Sequence, residues 1–202
     1  MTRFLTDYRT RISQFVGALF VLLDTVSGKL LPAEHAVLSG TLFLLGCILV
    51  GTGAVGRIWC AQYIAGYKNG VLVREGPYSI CRNPLYFFSL LGCIGVGLCT
   101  ESLVLTLLLG ALYALEYPLV IRSEEARLTR LFGAEYGQYV REVPRFLPDL
   151  SLYHEPADYV VKPKVFRHAV RDVMWFIFAV GILECIEGIQ EAGLIPALLQ
   201  LY

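Results

Sequence analysis

Long apolar runs constrain this chain more than any other feature. A helix needs roughly 20 apolar residues to cross the hydrocarbon core of a bilayer. Five stretches have that character. Ile12 to Leu31 carries Asp24 and Lys29. Val37 to Ile58 is uncharged until Arg57, and Leu85 to Cys99 is shorter. Leu103 to Ile121 is interrupted only by Glu116 and Pro118, and Val173 to Ile189 holds Glu184 and Glu187 near its far end. The final segment, Gly193 to Tyr202, is apolar but too short to span, and reads as interfacial or packed on the bundle. Charged residues make up 17% of the chain, against about 25% in soluble domains, and the mean hydropathy is +0.59. The expected fold class is all-α: a polytopic membrane helix bundle of about five transmembrane helices, one domain over residues 1–202.

Basic residues orient such a bundle. Arg3, Arg9 and Arg11 precede the first run. Arg57, Lys68, Arg74 and Arg82 lie between the second and third runs. Arg122, Arg127, Arg130, Arg141, Arg145, Lys162, Lys164, Arg167 and Arg171 lie between the fourth and fifth. The other connections hold almost no Lys or Arg. Positive residues stay cytosolic, so five crossings place the N-terminus inside and the C-terminus on the opposite side. The first run lacks a small-x-small cleavage site and reads as a retained helix. A net charge of zero and no interleaving of basic and aromatic residues argue against nucleic acid as a partner. Cys47, Cys60, Cys81, Cys93, Cys99 and Cys185 form no CxxC pair and have no histidine cluster beside them. Neither a metal site nor a disulfide framework is expected, and the thiols read as small packing groups. His35, His154 and His168 have no partners in motif spacing. There is no Walker loop, GxGxxG or GxSxG.

Two connections carry the remaining information. In the first, Trp59 to Pro84, turns at Asn69-Gly70 and Gly76-Pro77 flank a short extended stretch, Val71-Leu72-Val73. Pro84 suits the first turn of a helix, which puts Arg82 and Asn83 at a helix mouth. Free N–H groups and the positive end of the dipole make such a mouth a place for a carboxylate or other anion. In the second, Arg122 to Arg171, a helical stretch begins at Ser123-Glu124-Glu125, with Leu128, Leu131 and Phe132 on one face. Gly133 interrupts it, Ala134 to Arg141 forms a second helix, and Pro144 and Pro148 end regular structure. The expectation is a pair of amphipathic helices on the membrane surface. Tyr136 and Tyr139 read as interfacial anchors. By composition alone, Arg82 also fits a topogenic charge, and Glu124-Glu125 a charged first helical turn. Asp24 is an intramembrane acid, and so either functional or paired with Lys29.

The two connections together resemble the isoprenylcysteine carboxyl methyltransferase family and its relatives that methylate phospholipids and small thiols. The family pattern is G-x-Y, R-H-P-x-Y, a helical hairpin, E-E, F-G-x-E-Y-x-x-Y and V-P. Here it reads Gly76-Pro77-Tyr78, Arg82-Asn83-Pro84-Leu85-Tyr86, Glu124-Glu125, Phe132-Gly133-Ala134-Glu135-Tyr136, Tyr139 and Val143-Pro144. The match covers about residues 63–148. It implies an S-adenosylmethionine pocket at the cytosolic membrane face, with the loop and amphipathic helices as its walls. Gly70, Val71, Leu72, Val73, Tyr78, Asn83, Pro84, Leu85, Tyr86, Glu124 and Glu125 are then the cofactor-binding residues. A glutamine of some members falls at Tyr63. Arg82 and Glu124 take catalytic roles. Arg122 stands near the family's substrate-contacting arginine, but two residues before Glu124 rather than one turn. The family histidine is Asn83 here, which as a good capping residue can keep a backbone role at the helix mouth. No metal is implied. The implied partners are membrane lipids and a lipid-like methyl acceptor that enters between the third, fourth and fifth helices, with a prenylcysteine carboxylate first among the acceptors. A carboxylate or thiolate acceptor needs no base, whereas an amine or hydroxyl would call on Glu124 or Glu125. Two other classes stay open: an NADPH-dependent membrane reductase sharing the R-H-P-x-Y element, and a non-catalytic membrane scaffold.

Overall fold

The computed structural model describes residues 15–27, 36–65, 67 and 70–195. Lys29, Lys68, Asn69, the N-terminal arginines and most of the Gly193 to Tyr202 segment lie outside the described residues. The runs become α1 (Phe15–Val26), α2 (Ala36–Ile64), α4 (Pro84–Cys99), α5 (Leu103–Glu142) and α6 (Pro163–Glu191), with a one-turn helix, α3 (Pro77–Ile80), before α4. The chain is an all-α membrane helix bundle. Among the described helices, α2 and α5 are long and apolar enough to cross a bilayer on their own, while α1 and α4 are shorter apolar helices. The 16 residues of α4 rise about 24 Å, close to the hydrocarbon thickness.

Phe20, Val50, Val96, Leu105 and Leu183 form one buried cluster, one residue from each of the five long helices. The outer surface is apolar. Leu115 is 73% exposed, Leu119 66% and Trp175 67%, as expected where lipid rather than water is the neighbour. α2 and α4 pack closest, along glycines. A Cβ on Gly95 would sit 2.6 Å from the Val50 nitrogen, so the two backbones approach only because no side chain intervenes. The ends alternate. Gln190 near the end of α6 donates to the carbonyls of Thr25 at 2.8 Å and Ser27 at 3.1 Å. Ser39 near the start of α2 donates to Glu101, just after α4. Those helix ends therefore share one side, and the motif-bearing connections meet on the other.

Local signals set the helix boundaries. Pro84 occupies the first turn of α4, and the Ser102 side chain caps α5 by accepting from the Leu105 N–H. The largest departure from expectation concerns α5. The sequence suggests a span ending at Ile121 and a new surface helix from Ser123. Instead one helix runs from Leu103 through Pro118 to Phe132, and a turn at Gly133 (φ 50°, ψ −118°) leads to a last segment ending at Glu142. The charged residues after Ile121 continue a membrane helix out of the apolar layer, because nothing in Arg122-Ser123-Glu124-Glu125 breaks the ladder.

A carboxylate pair at the mouth of the fourth helix

The strained glycine of G-x-Y fixes the first wall. Gly76 has φ +58°, a region L side chains rarely enter. Its N–H donates to the His154 carbonyl at 2.9 Å. α3 then turns Tyr78 inward, and Tyr78, Cys60 and Tyr63 form a buried cluster with Val73, Leu85 and Tyr159 around it. The Tyr78 backbone carbonyl accepts from the Tyr139 hydroxyl at 2.6 Å. Its own hydroxyl is buried without a hydrogen-bond partner among the described residues, and burial holds its ionisation well above the ordinary phenol range. A buried hydroxyl left without a partner marks a place where a ligand atom is wanted.

The second wall is the start of α4. The residue before a proline favours extended backbone, and Asn83 (φ −126°) leads into Pro84 without a side-chain cap. This corrects the capping role expected of Asn83. Its amide instead donates to the Arg145 carbonyl at 2.9 Å and to Glu125 at 3.4 Å, fastening the helix mouth to α5 and to the chain beyond it. Asn83→Ala is expected to cost about 1 kcal/mol, the net worth of such bonds, read as a fall in the thermal midpoint in detergent. Two turns of hydrogen bonding hold the same segment from below: the Arg82 N–H donates to the Pro144 carbonyl at 2.9 Å and the Asp149 N–H to the Ile80 carbonyl at 2.9 Å.

The two adjacent glutamates do different things. Glu124 accepts from the Tyr86 hydroxyl at 2.7 Å. Tyr117 stands edge-on to Tyr86, with ring centroids 5.3 Å apart, and is stacked on Tyr113 at 3.7 Å. The Tyr113 hydroxyl donates to the Tyr86 carbonyl. Glu125, one position on and so about 100° around the helix, faces Arg145 at 2.7 Å and Arg82 at 3.7 Å. Arg82, Glu125, Ala126, Thr129, Tyr136, Val140 and Arg145 line an open groove of about 410 Å³. Glu124 with Tyr86 thus makes an aromatic-walled acceptor pair, and Glu125 is the hub of an ion-pair network that includes Arg82.

The remaining site residues read from the sequence divide in the same way. Leu72 is buried with Tyr136, Tyr139 and Val143, with Leu128 and Phe132 packed against them. Val73 packs in the Tyr78 cluster, and Val71 is exposed. Gly70 closes a turn onto the Tyr67 carbonyl. Arg122 is exposed. Leu131 is half exposed rather than on the packed face with Leu128 and Phe132. Tyr136 and Tyr139, read as interfacial anchors, are 3% and 2% exposed, so they are core residues of the loop side. Burial, with Glu125 nearby, pushes the Tyr136 phenol up to about 12. Tyr63 stacks on Tyr159 with centroids 4.4 Å apart and accepts through its carbonyl from the Tyr159 hydroxyl. Motif reasoning missed Tyr113, Tyr117 and Arg145.

A membrane bundle with this pair at a helix mouth is placed among the membrane methyltransferases by its family match. Residues 36–135 match the phospholipid methyltransferase family, and the chain belongs to that isoprenylcysteine-methyltransferase-like family. It is 38% identical over 206 residues to the cobalt-zinc-cadmium resistance protein CzcN of Cupriavidus metallidurans, covering 100% of this chain and 92% of that protein. It is 37% identical over 193 residues to the nickel-cobalt-cadmium resistance protein NccN of Alcaligenes xylosoxydans xylosoxydans, covering 96% and 89%. To the protein-S-isoprenylcysteine O-methyltransferase of Schizosaccharomyces pombe it is 32% identical over 81 residues, covering 40% of this chain and 34% of that protein. No solved structure matches significantly.

Proposed function

We propose that the protein transfers a methyl group from S-adenosylmethionine to a lipid-like acceptor at the cytosolic face of a membrane, with the carboxylate of a prenylcysteine-type molecule as the first candidate acceptor. The observation that carries this reading is the Tyr86–Glu124 pair together with the buried Tyr78 hydroxyl, which has no hydrogen-bond partner among the described residues. The groups present suit the cofactor. A carboxylate can hold the ammonium or the ribose hydroxyls. Electron-rich rings tolerate a sulfonium at their faces, and the orphaned phenol offers a hydrogen bond. The cofactor supplies an electrophilic methyl on a positively charged sulfur. A carboxylate acceptor would become its methyl ester with no proton for the protein's residues to move.

The protein's own contribution is therefore position rather than acid–base chemistry. Tyr86 is held at both ends, by Tyr113 at its carbonyl and Glu124 at its hydroxyl. Glu125, Arg82 and Arg145 lock the mouth of α4 against α5. The distribution of Lys and Arg supports a cytosolic N-terminus and site, and a C-terminus on the opposite side. The acceptor would enter from the bilayer between α4, α5 and α6, a route supported by the position of Tyr86 in the first turn of α4.

Isothermal titration calorimetry with S-adenosylhomocysteine in detergent tests the reading. The wild-type protein is expected to bind, and Glu124→Ala to bind about tenfold more weakly, the scale of a lost charge-assisted hydrogen bond. Absence of binding by the wild type would overturn it. Two relatives named as metal resistance proteins favour a second reading, in which the same methyl transfer serves a metal-tolerance system. Expression of wild type and Glu124→Ala in a cadmium-sensitive host separates the two: protection by the wild type alone supports the second reading, and equal growth removes it.

A further inference from the structure

We propose that Arg57 is the binding position for an anionic headgroup of the methyl acceptor, so that the site takes amphiphiles bearing a carboxylate or phosphate in preference to neutral ones. This rests on the methyl-transfer reading above. Arg57 lies on α2 and is the one charged residue of that helix. One guanidinium N–H donates to the Ser89 hydroxyl on α4, and the guanidinium carbon stands 5.7 Å from the centre of the Phe176 ring on α6. Its Nε is buried without a hydrogen-bond partner among the described residues. Among the described residues no carboxylate pairs with it, whereas Arg74, Arg82 and Arg145 each face one. A charge inside a membrane bundle is costly, and is ordinarily paired or functional. One hydroxyl and one ring face leave most of a guanidinium's five donors unused.

Its location gives this vacancy a meaning. Ser89 is one helical turn beyond Tyr86 on α4, and Ser89 returns its own proton to the Leu85 carbonyl at 2.7 Å. Cys60, one turn along α2 from Arg57, packs against Tyr78. Cys60, Cys93 and Tyr113 all lie within electrostatic reach of the Arg57 charge, and Tyr113 is the residue that holds the Tyr86 carbonyl. Arg57 therefore sits on the membrane side of the Tyr86–Glu124 pair, where an acceptor arriving from lipid passes on its way to the cofactor. The exposed Arg122 brings no cation inside the bundle. A guanidinium that keeps unused donors in a low-dielectric wall matches a carboxylate or phosphate by geometry as well as charge. A carboxylate that becomes a methyl ester loses that attraction, so the same residue favours release of product.

The test is binding, not turnover. Purified protein in neutral detergent is titrated with N-acetyl-S-farnesylcysteine and with its methyl ester, and separately with phosphatidic acid and with diacylglycerol, following thermal stabilisation. The wild type is expected to bind the acid of at least one pair about tenfold more tightly than its neutral partner, and the pair that discriminates identifies the headgroup. Arg57→Met, which replaces a half-buried charge with an apolar chain of similar reach, is expected to fold and to lose the discrimination, and Arg57→Lys to keep most of it. No discrimination by the wild type, or equal discrimination by Arg57→Met, overturns the proposal. S-adenosylhomocysteine binding is measured on all three proteins. Its absence from the wild type counts against the methyltransferase reading itself. Its presence alongside equal binding of acid and neutral ligand counts against Arg57 alone.

Discussion

Glu125→Ala is expected to lower the stability of the protein by about 3 kcal/mol, seen as a fall of about 5–10 °C in the thermal midpoint in detergent. Glu125 is 18% exposed at its side chain and Arg82 11%, so the pair is largely withdrawn from solvent. Removing the carboxylate leaves two guanidinium groups facing each other across the groove with no counter-charge. Breaking one partner out of a buried pair commonly costs 3–5 kcal/mol. The lower end applies because Arg145 is 42% exposed and recovers hydration. The Asn83 amide loses one of its two acceptors in the same step. Glu125→Gln, which keeps an acceptor oxygen but not the charge, is expected to fall between wild type and Glu125→Ala. Arg82→Met combined with Glu125→Met is expected to recover much of the loss, since it removes the more buried of the two stranded cations and leaves only Arg145, which hydrates. A wild-type midpoint for Glu125→Ala would show that the network contributes nothing to folding. The contrast with Glu124 is the functional content of this prediction. Glu124→Ala acts on ligand affinity and Glu125→Ala on the fold, although the two residues are adjacent in sequence.

That division was only partly legible in the sequence. The apolar runs announced the five long helices, and the motif strings announced Tyr78, Tyr86 and the glutamate pair. What failed was the boundary after Ile121. A change from apolar to charged residues was read as the end of one helix and the start of another, yet charge ends burial in lipid without ending a hydrogen-bonded ladder. Once α5 is continuous, Tyr113, Tyr117, Ile121 and Glu124 recur at spacings of three and four and share one face; Tyr113 and Ile121 are buried. The periodicity was present but hidden by the mistaken break. Tyr136 and Tyr139 were misread for another reason. Their covers are Leu72, packed from far back in the chain, and the Tyr78 carbonyl, and no local pattern encodes a contact across more than sixty residues. Arg145 belongs to the same category: only the fold brings it beside Glu125.

Gly76→Ala tests whether the loop that carries Tyr78 is built on a conformation rather than on a contact. The expected loss is about 3 kcal/mol, from two sources. At φ +58° and ψ −128° a residue with a Cβ is strained by roughly 1–3 kcal/mol. In addition, the Cβ would lie 2.3 Å from a Tyr63 ring carbon, an overlap of the kind that costs about 1–3 kcal/mol to relieve. Tyr63 has little room to retreat. Its ring stacks on Tyr159, its hydroxyl donates to Glu155 at 3.3 Å, and its carbonyl is held by the Tyr159 hydroxyl. The chain therefore yields at Gly76, releasing the N–H from the His154 carbonyl and turning α3 away from Cys60. Tyr78 moves with α3, so S-adenosylhomocysteine affinity is expected to fall together with the thermal midpoint. Gly76→Ala combined with Tyr63→Leu separates the two sources, because it removes the ring but keeps the strained backbone. Partial recovery of the midpoint, with ligand affinity still reduced, is the outcome that places the loop's conformation upstream of the site. Full recovery of both would assign the whole effect to the collision with Tyr63.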